Sequence, residues 1–265
     1  MKRILFFILV LGLWASAVQA EESRTSENDM VLIPAGPFVM GNKLSLIELD
    51  PADLFNTDRH ALGPENPAHE TILDAFYIDI HEVKNADYLQ YVKETGGKKP
   101  EFAEDANFNA PNQPVVGVTW KDARNHCKWK GKRLPTEAEW EKAGRGKRAV
   151  RYPWGDQPAN DTRLNFDNHV KKTTLVGSYE SGKSDYGVYD LSGNASEWVS
   201  DWHLAEYYIF SPKENPQGPE KGHYKIIRGG NWRNNAEDVD LTYRNATVPS
   251  LKSQTVGFRC AKSAP

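Results

Sequence analysis

The stretch 190-DLSGNASEW-198 decides how the second half of this 265-residue chain is read. Asp190 and Glu197 bracket a Gly193-Asn194 turn, so two carboxylates and the backbone carbonyls between them can converge on one point. Hard oxygen donors on a tight loop suit calcium. Capping and hydrogen bonding without a metal is the plainer use of the same residues. From Arg151 to Pro265 no helical period persists, and short apolar runs alternate with turn signals at YPWGD (152–156), VGSY (176–179) and RGGNW (228–232). Such a region needs something besides regular secondary structure to pin its loops, and bound cations would do so.

Toward the N-terminus the signals become regular. In 135-PTEAEWEKAGRG-146, Thr136 and Glu139 have the spacing of a capping box, with Trp140 and Ala143 on the buried side. A second helix is expected from a Thr119 cap past Ala123 and Cys127 to Gly131, and another from an Asn85 cap to Gly96-Gly97. Glu137 and Glu141 read as solvated residues of an amphipathic helix, and the basic residues between Lys121 and Arg151 as a solvated face. The segment 30-MVLIPAGPFVMG-41 reads as a hairpin, residues 42–66 as a surface loop, and 71-TILDAFYIDIHEV-83 as one half-buried strand. Three helices ahead of a loop-rich region with few strands predict a single α+β domain over residues 30–265.

Residues 1–20, MKRILFFILVLGLWASAVQA, carry a basic start, an apolar core and a small-residue cleavage site. This is the pattern of an export signal, with an uncleaved anchor as the alternative reading. Cleavage would leave a polar, flexible lead-in over residues 21–29 and a mature chain with 31 basic and 36 acidic residues. That balance argues against a nucleic-acid surface, and no second membrane segment follows. A periplasmic or secreted monomer is expected. In such a compartment the only two cysteines, Cys127 and Cys260, should pair. The bridge would close a loop of 133 residues, worth about 4–5 kcal/mol on chain entropy alone. A free reactive thiol is the competing possibility.

The ordered blocks MVLIPAGPFVMG, ENPAHETILDAFYIDIHEVKNADYLQYV, QPVVGVTWKDARNHCKWKGKRLPTEAEWEKAGRG, YPWGD, YGVYDLSGNASEWVSDW, IIRGGNW and VGFRCA resemble the formylglycine-generating-enzyme (sulfatase-modifying factor) family. The likeness runs from about Met30 to Lys262. It implies a loop-rich α+β fold, a variant of the C-type-lectin fold, and a structural disulfide at the two cysteines. It also implies calcium held by the Asp190 and Glu197 side chains with the Gly193 and Ala195 carbonyls. A second calcium would lie at Asn165 with the Phe166 carbonyl.

Members that make formylglycine hold copper(I) with two cysteines just after the RGG-aromatic turn. Here those places carry Asn234 and Val239. Neither can replace a soft thiolate, so no copper and no cysteine-to-formylglycine conversion are expected. What remains is a cleft lined by Trp232, Arg233, Asn234, Asn235 and Arg244, residue types that anchor binding surfaces. It would serve an accessory factor that binds or matures a protein, peptide or cofactor precursor. The alternative is an oxidoreductase without cysteine chemistry, like the relative that matures the pyoverdine chromophore, with Glu237, Asp238 or Asp240 as base. A lectin-like carbohydrate binder rests on fold analogy alone.

Overall fold

All nine residues of the helix Glu137–Arg145 are buried, although five of them are charged. The computed structural model describes residues 29–42 and 64–265; the expected export signal, nearly all of the lead-in and most of the 42–66 loop lie outside them. The described strands are β1 (Met30–Ile33), β2 (Gly36–Met40), β3 (His69–Leu73), β4 (Phe76–Asp79), β5 (Ser196–Trp202), β6 (Lys225–Arg228), β7 (Asn245–Thr247), β8 (Val256–Gly257) and β9 (Ala261–Ser263). The helices are α1 (Asn85–Thr95), α2 (Trp120–Trp129), α3 (Glu137–Arg145) and the single turn α4 (Tyr207–Phe210). None of the described helices is long and apolar enough to cross a membrane.

Helix α3 begins where expected. The Thr136 hydroxyl accepts from the Glu139 amide at 3.1 Å, and the Glu139 carboxylate accepts from the Thr136 amide at 2.8 Å. Thr119 and Asp122 cap α2 in the same way. At α1 the expectation fails in detail. Lys84 takes the cap position, while the Asn85 side-chain Nδ2 donates to the carbonyls of Phe108 and Ala110 and ties down that loop instead. Gly96 closes α1 in a left-handed conformation.

The expected hairpin does not form. β1 pairs with β4, and β2 with β3, so the chain changes sheets at Pro34-Ala35. The Pro34 and Gly36 carbonyls, which a hairpin turn would use itself, accept from the buried Lys142 ammonium of α3 at 2.8 Å each. The single strand expected over 71–83 breaks correspondingly into β3 and β4. The sheets run β1-β4-β9, β2-β3 and β7-β6-β5-β8.

Ala138, Trp140 and Ala143 of α3 pack into the main core with Ile33, Phe76, Ile78, Leu191, Val199 and Ile226. A second cluster gathers Tyr88, Ala123, Trp198 and Phe258 around a Cys127–Cys260 disulfide, with no free cysteine remaining. The bridge is therefore the reading that holds, and it ties α2 to the chain just before β9.

Candidate functional site

β5 and β6 run antiparallel, with Glu197 opposite Arg228. That register puts the 190–197 loop, which enters β5, beside the Gly-Gly turn that leaves β6. The Gly193 amide donates to the Gly229 carbonyl at 2.8 Å and the Trp232 amide to the Asn194 carbonyl at 3.0 Å. Gly230 has φ +64°, and a Cβ there would lie 2.4 Å from the Asp238 carbonyl oxygen. Only glycine lets the turn close this tightly.

The turn after Gly230 is built from amide side chains. Asn234 accepts from the Asn231 amide and donates to the Asp238 carboxylate at 3.0 Å, while Asn235 accepts from the amides of Glu237 and Asp238. The loop after Asn165 docks on it, with the Asp167 and Asn168 amides donating to the carbonyls of Asn234 and Trp232. Val239 is fully buried against Tyr152, Leu164 and Phe166. At the two positions where the resemblance places copper-binding thiolates, the chain thus has a half-buried amide and a hydrocarbon buried among apolar side chains.

The five residues expected to line a cleft do not share one surface. Arg233 and Asn235 are exposed and Asn234 half-buried, and these stay together on the turn. Trp232 points inward onto Phe108, with its indole N–H donating to the Gln254 carbonyl; Arg233 stacks over its ring at 4.4 Å and donates to the Gln254 side chain. Arg244 is buried elsewhere. It forks onto Glu137 at 2.7 and 3.0 Å and lies 4.2 Å over the Tyr208 ring. Of the three acids offered as bases, Asp240 is held by Arg151 and by the Thr242 amide and hydroxyl, Asp238 by Asn234, and Glu237 is exposed.

The carboxylates of the 190–197 loop belong to a buried cluster that includes Glu82, a residue the sequence reading passed over. Glu82 accepts from the Ala195 amide and the Asn194 side chain at 3.1 and 2.8 Å. Burial, then the charges of Asp190 and Glu197, push it well above the usual carboxylate range. Burial raises Asp190 to about 6. Both Glu197 oxygens are taken by the Arg259 guanidinium, at 2.6 and 2.7 Å, and one also accepts from the Trp140 indole.

A calcium ion at Glu197 would have to share both carboxylate oxygens with the Arg259 guanidinium. Asn165 fits better. Its Oδ1 is buried without a partner, while its Nδ2 donates to the Lys172 carbonyl and Asn194 Oδ1. An orphaned carbonyl oxygen at a loop crossing is a donor for which a cation would account.

Glu137 and Glu141, expected on a solvated helix face, are 1% and 0% exposed. Glu137 accepts from Arg244 and Arg228. Glu141 accepts from Arg228 at 2.6 Å, Arg145 at 2.8 Å and the Gly41 amide at 2.7 Å. Within the expected basic face, Arg145 is buried and Lys132 is paired with Asp79 at 2.6 Å. One local sign was available: Arg228 directly follows Ile226 and Ile227 in a short strand, and a guanidinium buried there needs a counter-charge.

This loop-rich α+β architecture is the formylglycine-generating-enzyme fold. The chain belongs to the family described as the sulfatase-modifying factor enzyme 1-like domain, which it matches over residues 15–264. It is 32% identical over 299 residues to the formylglycine-generating enzyme of Streptomyces coelicolor, covering 90% of each chain. It is 34% identical over 254 residues to the Chlamydia caviae protein named serine/threonine-protein kinase pkn1, across 88% of this chain but only 38% of that longer protein. The structure of PvdO from Pseudomonas aeruginosa superimposes with a TM-score of 0.73 at 26% identity, covering 89% of this chain and 94% of PvdO.

Proposed function

We propose that the protein is an exported binding or maturation factor that uses the family scaffold without the family's copper chemistry. The observation that carries this reading is the pair Asn234 and Val239: no sulfur stands there, and both cysteines are consumed in a distant bridge. Residues 1–20 support an exported, periplasmic or secreted setting, and the orphaned Asn165 oxygen supports a structural calcium. The contact surface is the turn bearing Arg233, Asn234 and Asn235. It would recognise a polar peptide, protein or cofactor precursor through amide and guanidinium hydrogen bonds.

Two measurements test the proposal together. Purified chain given copper(I), oxygen and a thiol peptide should form no aldehyde. A photo-crosslinking residue at Asn235 should capture a discrete exported partner that the same residue at Glu94, on exposed α1, does not. Aldehyde formation, or equal capture at both positions, would overturn it.

The alternative is an oxidoreductase of the same family whose chemistry dispenses with cysteine, a reading with which the fold shared with PvdO over nearly the whole of both chains is compatible. On that reading Glu237, exposed beside the turn, is the available base. Oxygen uptake with a candidate substrate, lost on Glu237→Gln, would separate the two.

A further inference from the structure

His126 is a buried imidazole to which the fold assigns no evident task. It is 2% exposed, and neither ring nitrogen has a hydrogen-bond partner; the Asp87 backbone lies near without one of standard geometry. Its ring is oriented by packing, stacked on Tyr88 at 5.5 Å and edge-on to Phe258 at 5.3 Å. An unpartnered buried polar group costs stability and calls for an explanation. Next to it in sequence is Cys127, and the bridge brings Cys260 to the same place. The donor atoms of His126, Cys127 and Cys260 all lie within 4.8 Å of one another.

We propose that these three residues form a redox-gated metal site, closed as a disulfide and, on reduction of the bridge, able to bind zinc(II) or a similar thiophilic ion. The proposal goes beyond the binding function above and does not depend on it.

A dithiol reductant passes two electrons and two protons to the bridge, leaving Cys127 and Cys260 as thiols and itself as a disulfide. Zinc then displaces both thiol protons. The ion with two thiolates has no net charge, which suits a buried site, and the imidazole adds a neutral third ligand. Two sulfurs and one imidazole match the preference of zinc, and a water can complete the tetrahedron.

A cavity of about 80 Å³, lined by Cys260, His126, Asp79, Lys130 and Lys132 among others, adjoins the bridge.

The test uses the full chain, reduced with a dithiol, freed of reductant under nitrogen and titrated with cobalt(II) as a spectroscopic stand-in. One cobalt per chain should give thiolate-to-cobalt charge-transfer absorption, and zinc should abolish it. The oxidised chain should show none. His126→Gln should weaken binding by on the order of a hundredfold, an even share of a four-ligand zinc site. In reduced wild type, zinc should also slow alkylation of both cysteines, a readout that does not depend on the variant folding. Absence of the stoichiometric band in reduced wild type, an equal band in the oxidised chain, or undiminished binding by His126→Gln would overturn the proposal.

Discussion

Replacing Glu141 by alanine should be among the most damaging single changes in this protein. The carboxylate accepts three hydrogen bonds inside the core, from the Gly41 amide, Arg145 and Arg228, at 2.6 to 2.8 Å. Within the network Glu137, Glu141, Arg145, Arg228 and Arg244, its loss raises the formal charge from +1 to +2 where no water can reach. Arg228 would keep Glu137 and the Thr242 and Leu241 carbonyls, but its Nε already lacks a partner. Removing one member of a buried pair costs about 3–5 kcal/mol, because the other charge stays buried. For a domain of this size each kcal/mol shifts Tm by about 2–4 °C, so melting should fall by about 6–20 °C. Urea denaturation followed by tryptophan fluorescence measures the cost directly. The control is Glu101→Ala, which breaks an exposed pair with Lys252 and should cost about 0–1 kcal/mol. If the two substitutions cost the same, α3 is not held by its charges and the reasoning fails.

Asp201 should make stability fall with rising pH. Burial, then the nearby Glu137 charge, raises it to about 7 from an ordinary 3.8, so its contribution is full below the lower value and lost as pH climbs through the upper. The stability difference between Asp201→Asn and wild type should move in the variant's favour across that window, and a flat difference would refute this. Gly144→Ala should destabilise despite alanine's better helix propensity. Its Cβ would lie 2.5 Å from a Leu241 methyl, and overpacking of this kind costs about 1–3 kcal/mol; an unchanged denaturation midpoint would show that Leu241 can move aside. Calcium at about 100 times its Kd should stabilise the chain by about 2.7 kcal/mol. Asn165→Ala should remove that gain in calorimetry, whereas an equal gain in the variant would place the ion elsewhere.

What could be read from the sequence follows from the range of the interactions that decide each feature. The caps of α2 and α3 each close within three residues and were legible. The disulfide was legible from composition, because two cysteines leave one pairing. The hairpin failed because the carbonyls between β1 and β2 are claimed by Lys142, more than a hundred residues away. Glu137 and Glu141 were misread for the same reason: their partners Arg228 and Arg244 lie 87 to 107 residues distant. Charge spacing on a helix shows which side chains share a face, but it does not show whether that face meets water or guanidinium groups.

The same charges bear on how far the turn at Asn234 and Val239 is uncoupled from what holds the fold together. Helix α3 is fixed to β6 and the 241–244 segment by Glu137 and Glu141, and β5 to the approach of β9 by Glu197 and Arg259. None of these contacts passes through Asn234 or Val239. The turn carrying those two residues closes on its own amide hydrogen bonds and on a hydrocarbon packed against Tyr152, Leu164 and Phe166. An amide and an isopropyl group at these two positions therefore leave the buried ion pairs named above satisfied. The exposed Arg233 of this turn can then vary under little constraint from stability, while α3 and its arginines cannot.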